Sequence, residues 1–280
     1  MIRRLRESGT PGREDIPPGL VDLHSHILPG LDDGSRSWDE TLAMARAACR
    51  QGVAVMAATP HQLGQYAGNA AHAILERLEE ARHRLRTAGI PLQLIAGGEV
   101  RVEEDLPRRI EAGEVLTLAD ARRYVLLELP HDLYLPLEGL LARLGGMGVI
   151  GILAHPERNA ALQRHPQRLA RLVEAGCLVQ VTGASLNGGF GREVQAFTLQ
   201  LIRQGMVHLV ASDAHGEKRR GPDLQAAYRR IAEECDGETA EILFRRNPWR
   251  IMQGRSAAAL ELPAPTGGGI LGRWFRKLAG

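Results

Sequence analysis

The sequence predicts a single-domain α/β chain whose mostly parallel sheet closes into a barrel. Two observations carry this expectation. Short β-rich apolar runs alternate with stretches of helical periodicity along the chain, the signature of repeated βα units. These runs also end, one after another, in His, Asp or Glu, as expected where loops converge on the mouth of an α/β barrel. The 280 residues, 44% apolar, can bury one large core, and such barrels commonly take ~250 residues.

The elements follow in order. Residues 1–19 read as a flexible polar leader, with no apolar core of a signal peptide. The apolar pair Leu20-Val21 opens the first strand, which runs into HSHILPGLDDG, His24 to Gly34. A helix follows over SWDETLAMARAACRQG. Ser37 is its N-cap, Glu40 completes a capping box, and Gly52 closes it. Leu42, Ala45, Ala48 and Cys49 give its apolar stripe. Next come strand 53–58, a helix near 69–88 ending at Gly89, and strand 92–96 leading to Glu99. After a mixed segment the pattern resumes with strand 124–129, helix 136–146, strand 149–154, helix 166–175 and strand 178–182. Helix 190–204, strand 207–211 and helices from about 222 onward complete it. PAPTGGG is a linker, and ILGRWFRKLAG beyond it is a tail.

The strand ends carry the chemistry. Alternate side chains of a strand share a face, so His24 and His26 point the same way. A lone His-x-His is also the mark of a partly exposed strand pair. Here it is joined by His61 after VAVMAATP, Glu99 in LIAGGEV, Glu128 in YVLLELP, His155 in VIGILAHPER, and Asp213 and His215 in VHLVASDAH. Asp32 and Asp33 place hard oxygen donors beside the first histidines, with Asp32 free to serve the loop while Asp33 ligates. So many imidazoles and carboxylates exceed the four ligands of one structural zinc and suit two or three divalent ions. Mixed nitrogen and oxygen donors suit Mn, Fe or Zn. Multinuclear sites of this kind recur in phosphoester hydrolysis. Arg158, three residues after His155, and Arg219 or Arg220, just after His215, are placed to bind phosphate oxygens.

The remaining features exclude other classes. The net charge of +2 implies no nucleic acid partner. No apolar run approaches the ~18 residues of a membrane span. Cys49, Cys177 and Cys235 are odd in number and widely spaced, which points to a reducing, cytoplasmic compartment. A thiolate phosphatase needs Arg six positions after its Cys, and those positions hold Val55, Gly183 and Glu241. His72, His83, His131, His165 and His208 lie off the strand-end slots and read as surface or capping residues. Arg82, Arg84 and Arg86 read as a solvated helix face, and Trp38 as packing.

HSHILPGLDDG, ATPH, GGEV, LLELP, AHPER, QVTGASLNGGFG and ASDAH resemble the motifs of the polymerase and histidinol phosphatase (PHP) superfamily. Within it they resemble the bacterial manganese-dependent protein-tyrosine phosphatases of capsule and exopolysaccharide gene clusters. The resemblance runs from about residue 20 to 254 and implies a distorted (β/α)7 barrel of the PHP type there, with 255–280 as linker and tail. It implies a trinuclear centre, Mn2+ first and Fe or Zn as alternatives. Its ligands would be His24, His26, Asp33, His61, Glu99, Glu128, His155, Asp213 and His215, with Glu99 bridging. Arg158 and Arg220 match the phosphate-binding arginines. Gly221 stands where the family usually has Pro directly after the second arginine, which keeps Arg219 as an alternative. The implied reaction is attack on phosphorus by metal-activated hydroxide, without a phosphoenzyme. His61 or His215 would supply a proton where not occupied by metal. The implied partner is the tyrosine-rich tail of a membrane-associated kinase of polysaccharide export. A small-molecule phosphatase such as a histidinol-phosphate phosphatase is the neighbouring alternative, and a non-catalytic regulatory barrel the more distant one. In the tail, Ile270, Leu271, Trp274, Phe275 and Leu278 fall at helical spacing among Arg273, Arg276 and Lys277. Residues 270–278 therefore read either as a short amphipathic helix touching the inner membrane weakly or as a segment packed on the barrel.

Overall fold

The computed structural model describes residues 16–130 and 132–262. His131, the first part of the leader, the PAPTGGG linker and the 270–278 segment lie outside the described residues. Parallel strands form two sheets. The first is β1 (Leu20–Asp22), β2 (Val53–Ala58) and β4 (Gln93–Ala96), in that order. The second runs β3 (His61–Gln62), β5 (Glu99–Arg101), β6 (Tyr124–Glu128), β7 (Ile150–Ala154), β8 (Leu178–Thr182) and β9 (Leu209–Ala211). Strand pairs β2–β3 and β4–β5 are each a single path with a kink. Thr59-Pro60 interrupts the first, since Pro has no N–H for the ladder. Gly97-Gly98 interrupts the second. A Cβ at Gly98 would lie 2.3 Å from Gln62 Oε1, so a side chain there would have to push Gln62 off its bond to Leu116 N. Counted as paths, the strands are seven.

The two sheets meet again at β9 and β1, where backbone bonds close the ring without a regular ladder. Asp213 N donates to His24 O at 2.8 Å, and His26 N to Ala214 O at 2.8 Å. Buried Asp22 completes the seam, its Oδ1 accepting from Ser212 N at 2.9 Å. The molecule is thus a single-domain, distorted α/β barrel.

Helices cover the outside: α1 (Trp38–Arg50), α2 (Ala71–Thr87), α3 (Leu106–Glu111), α4 (Glu138–Gly146), α5 (Ala160–Arg164) and α6 (Pro166–Glu174). Then follow α7 (Gly183–Leu186), α8 (Arg192–Arg203), α9 (Leu224–Glu234), α10 (Gly237–Glu241) and α11 (Asn247–Met252). Ser37 caps α1 by accepting from Glu40 N, as its sequence predicts. Helices α3, α5 and α7 are too short to show a periodicity and are absent from the sequence reading.

Alternation along the strands separates two apolar layers. Val125, Leu127, Leu153, Val179 and Val210 face the helices. Val21, Tyr124, Leu126, Ile152, Leu178 and Leu209 fill the barrel, closed below by Ile251 of α11. Along β8, Leu178 is followed on the same face by Gln180 and Thr182, so the interior turns polar toward the strands' C-terminal ends. Residues 255–262 fold back beneath the barrel. Asn247 Nδ2 donates to Glu261 O at 2.6 Å, and Glu261 N returns a bond to Asn247 Oδ1 at 2.9 Å. At the other end, Arg245 fixes the Pro17 and Gly19 carbonyls at 3.2 and 3.1 Å.

Candidate metal centre

The strand-end residues converge at the C-terminal mouth. His24 and His26, just past β1, meet Glu99 of β5 and Asp213 after β9. His24 Nε2 lies 3.2 Å from His26 Nε2, 3.2 Å from Glu99 Oε2 and 3.4 Å from Asp213 Oδ1. His26 Nε2 lies 3.3 Å from each of the same two oxygens. Four donor atoms this close together, all within 4.8 Å of one another, can share one divalent ion at bonds of ~2.0–2.2 Å.

Hydrogen bonds behind the cluster set the tautomers. His24 Nδ1 donates to Gln180 Oε1 at 2.9 Å, and His26 Nδ1 to Asp32 Oδ2 at 2.7 Å. Both Nε2 atoms are thereby turned on the cluster centre, the arrangement in which an outer partner orients a ligating imidazole. Asp213 Oδ1 is buried there without a hydrogen-bond partner. Burial disfavours charge on both histidines, but Glu99 and Asp213 outweigh it for His24, and Asp32 for His26, and both pKa values are raised. Burial likewise disfavours charge on Glu99 and Asp213, yet the histidines, with Arg220 beside Asp213, hold both carboxyls well below the usual range. A buried set of carboxylates facing ring nitrogens fits a cation.

Two further groups adjoin the first. His26, Asp33, His61 and His215 form one, and His61, Glu99 and Glu128 the other. Asp33 Oδ1 is 3.3 Å from His215 Nε2 and 3.5 Å from His61 Nε2. His61 Nδ1 is 3.1 Å from Glu99 Oε2 and 3.6 Å from Glu128 Oε2. His155 Nε2 reaches the other Glu99 oxygen, Oε1, at 2.7 Å. Glu99 thus touches histidines through both oxygens. Burial pushes His61 and His155 down to about 4, and it also lowers His215. These shifts favour the neutral imidazole, the form that ligates a metal. Burial and the charge of Glu99 raise Glu128 to about 7.

Asp213 is also where the arginines arrive. Arg158 Nη1 and Arg220 Nη2 both donate to Asp213 Oδ2, the latter at 2.5 Å. Arg220 reaches Asp213, whereas Arg219 is exposed, though both line the groove beside the site. The backbone is strained where it aims these groups: φ is +34° at His155, +53° at Asp213 and +53° at Arg220. A groove of about 750 Å³ opens beside them, lined in part by Asp33, Arg36, Glu40, His215 and Arg220.

Several supports were missed by the sequence reading. Glu157 of HPER is buried, and its Oε1 accepts from Thr182 N, Thr182 Oγ1 and Ser185 Oγ at 2.7–3.0 Å. It ties the turn carrying Arg158 to β8 and α7. Asn159 caps α5 and binds the Pro130 and Leu133 carbonyls. Tyr66 stacks on His61, and Phe190 lies under the Arg158 guanidinium. His208 is buried rather than on the surface. Its Nδ1 accepts from Val179 N at 3.1 Å, which extends the β8–β9 pairing on the floor.

Comparison with known proteins agrees with this geometry. The family model described as "Capsular polysaccharide synthesis, CpsB/CapC" matches residues 20–253. The tyrosine-protein phosphatase YwqE of Bacillus subtilis is 37% identical over 235 residues, 81% of this chain and 92% of that protein. The tyrosine-protein phosphatase CpsB of Streptococcus pneumoniae is 29% identical, covering 83% of this chain and 98% of that one. A crystal structure from work on YwqE and CpsB, described as unique metal-dependent tyrosine phosphatases, superposes with TM-score 0.82 at 34% identity. It covers 88% of this chain and 99% of that one. A lactonase from Listeria monocytogenes, 13% identical with TM-score 0.51 over 85% of this chain and 95% of that one, shares the fold alone. The chain belongs to the CpsB/CapC family of capsular polysaccharide synthesis.

Proposed function

We propose that this chain is a metal-dependent protein-tyrosine phosphatase, acting on a membrane-associated tyrosine kinase of polysaccharide export from the cytoplasmic side. The observation that carries the reading is the meeting of the His/carboxylate cluster with Arg158 and Arg220 on one residue, Asp213. His24, His26, Asp33, His61, Glu99, Glu128, His155, Asp213 and His215 would hold two or three divalent ions, manganese first, with iron or zinc as alternatives. Such ions supply water activation and charge neutralisation at phosphorus.

The chain's own groups do the rest. Arg158 and Arg220 each keep N–H donors beyond those given to Asp213, and these bind the equatorial phosphoryl oxygens through their planar forks. Asp213 positions both guanidiniums. Asp32 and Gln180 hold His26 and His24 in the ligating tautomer. A tyrosine phenolate, with a pKa near ~10, leaves with little help from a general acid, and His61 or His215 would supply a proton where not occupied by metal. No cysteine takes part. Cys177 is buried and its thiol is pushed up to about 12 by burial, the reverse of an activated thiolate.

The test is turnover of a phosphotyrosine peptide by protein stripped with chelator and then reloaded. Activity should vanish with the metal and return best with manganese. Full activity in protein shown metal-free by elemental analysis ends the reading, and preference for histidinol phosphate replaces it with the small-molecule alternative. Among the described residues no helix is long and apolar enough to cross a membrane. The kinase's membrane is instead reached, on this reading, by weak contact through residues 270–278. Deleting 264–280 should lower cosedimentation with anionic vesicles and leave peptide turnover intact.

A further inference from the structure

Two aromatic rings at the mouth have no part in the scheme above. Tyr66 lies parallel to the His61 imidazole, with centroids 5.1 Å apart and 9° between planes. Phe190 lies under the Arg158 guanidinium, 4.6 Å from the ring centroid. One ring therefore rests on a candidate metal ligand and the other on a phosphate-binding arginine. Both are half-buried, whereas Tyr124 and Phe244 are fully buried in the core.

The loops that present them are built alike. Tyr66 follows Leu63 and Gly64, with φ of +70° and +55°, and is held by Tyr66 N donating to Leu63 O at 2.9 Å. Phe190 sits between Gly188 and Gly191, with φ of +83° and +92°, in a turn closed by Gly191 N to Gly188 O at 3.1 Å. Each is a tight turn of left-handed residues that lifts one large side chain beside the site. The first turn follows β3 and the second follows α7, so the rings approach from different walls of the mouth.

A phosphate ester gripped by Arg158 and Arg220 must point its leaving group away from the buried cluster and out through this mouth. Tyr66, stacked on His61, and Phe190, against Arg158, are half-buried rings beside two groups at that mouth. We infer that Tyr66 and Phe190 form an aromatic subsite that receives the phenyl ring of the substrate and gives the enzyme its preference for aryl over alkyl phosphate esters. The inference rests on the phosphotyrosine reading and names the residues that read the ring. Offset or edge contacts with aromatic neighbours favour a phenyl group over an alkyl chain of the same charge.

The experiment compares kcat/KM for a phosphotyrosine peptide and for the matching phosphoserine peptide in Tyr66→Leu, Phe190→Leu and the double variant. Phenylphosphonate and methylphosphonate binding by calorimetry gives a readout apart from turnover, and elemental analysis checks that metal loading is kept. Each single variant should lower the aryl-to-alkyl ratio about three- to tenfold and weaken phenylphosphonate more than methylphosphonate. Tyr66→Phe, which keeps the ring, should retain the parent ratio. An equal loss on both esters, or an unchanged ratio, overturns the subsite and leaves the rings as supports for His61 and Arg158. Failure of the parent protein to hydrolyse the phosphotyrosine peptide would instead overturn the phosphatase reading itself, and the parent arm separates the two outcomes.

Discussion

Asp32→Asn is the sharpest probe of how the centre is held, because the change keeps the shape and removes one charge. Asp32 Oδ2 accepts from His26 Nδ1 at 2.7 Å and from His61 N at 2.9 Å, while Oδ1 accepts from Gly34 N at 3.0 Å. An amide has only one acceptor oxygen. Turned toward His26 and His61, it sets its NH2 against the Gly34 N–H. Turned the other way, it faces two donors with donors. The better orientation still leaves at least one donor unpaired, at a cost of roughly 1–3 kcal/mol. The lost charge also weakens the interaction that keeps the His26 proton on Nδ1 and its Nε2 toward the cluster. Replacing an outer partner of this kind typically lowers metal affinity or activity by about 10- to 100-fold. The assay is manganese titration of phosphopeptide turnover in chelator-stripped protein. The activation midpoint should rise by that factor, with much of the parent kcat regained at saturating metal. Glu76→Gln, exposed on α2, serves as the control. A parent-like midpoint in Asp32→Asn would refute the view that Asp32 acts by orienting His26.

The other predictions concern the ligands, the arginines and the floor. His155→Ala, Asp213→Asn and Glu99→Gln should each abolish nearly all turnover while circular dichroism stays parent-like, whereas Cys49→Ser, Cys177→Ser and Cys235→Ser should remain active; a folded but dead cysteine variant contradicts the thiol-free chemistry. Arg158→Ala and Arg220→Ala should each lower kcat/KM about ten- to hundredfold, from loss of a charge-assisted bond of roughly 1.5–3 kcal/mol, with a clearly smaller loss for Arg219→Ala; equal losses at 219 and 220 would reverse the assignment. Burial lowers His208 to about 4, so the unfolded chain, with a histidine pKa near ~6.5, takes up the proton first as pH falls. Stability should therefore drop by roughly 3 kcal/mol between about pH 6.5 and 4 from this group alone, and urea unfolding of His208→Gln should lack that part of the slope.

The sequence shows the strand-end donors because they are periodic and chemically unusual. Nine ligand candidates sit at the ends of six of the seven strand paths, all but β8, and each reaches the mouth. What it does not show is the level behind them. Asp22 looks like one more turn-forming acid, yet it stitches β9 to β1 through Ser212 N. Gln180 sits in an apolar run and carries no strand-end signal, although it sets the tautomer of His24. Glu157 reads as the filler of HPER and is in fact the strut under Arg158. Their partners lie far away in the chain, so no local spacing reveals them. Strands 53–58 and 92–96 are legible, but the kinks that follow them are not. Pro60 and Gly97-Gly98 read as strand ends, whereas the chain runs on through His61 and Glu99 and changes pairing partner. His208 breaks the rule by which the other histidines off the strand ends were read as surface groups, because its slot is on the floor beside Val179.

The cost of building such a centre is visible around it. Among the described residues, the buried polar side-chain atoms without a hydrogen-bond partner include Asp213 Oδ1, Asp22 Oδ2, Gln180 Nε2 and Glu157 Oε2, each at or directly behind the cluster. His155 and Asp213, both in the cluster, hold left-handed backbone that residues with a Cβ rarely adopt. These features oppose folding, and each is of order 1–3 kcal/mol. The offset comes from elsewhere in the barrel. Tyr124, Leu126, Ile152 and Leu209 are fully or almost fully buried below the site, and Leu127, Leu153 and Val179 behind it. The barrel therefore divides its labour along each strand. The N-terminal half is apolar and stabilises the fold, and that surplus lets the C-terminal half hold carboxylates, imidazoles and strained turns in an arrangement that only a cation completes.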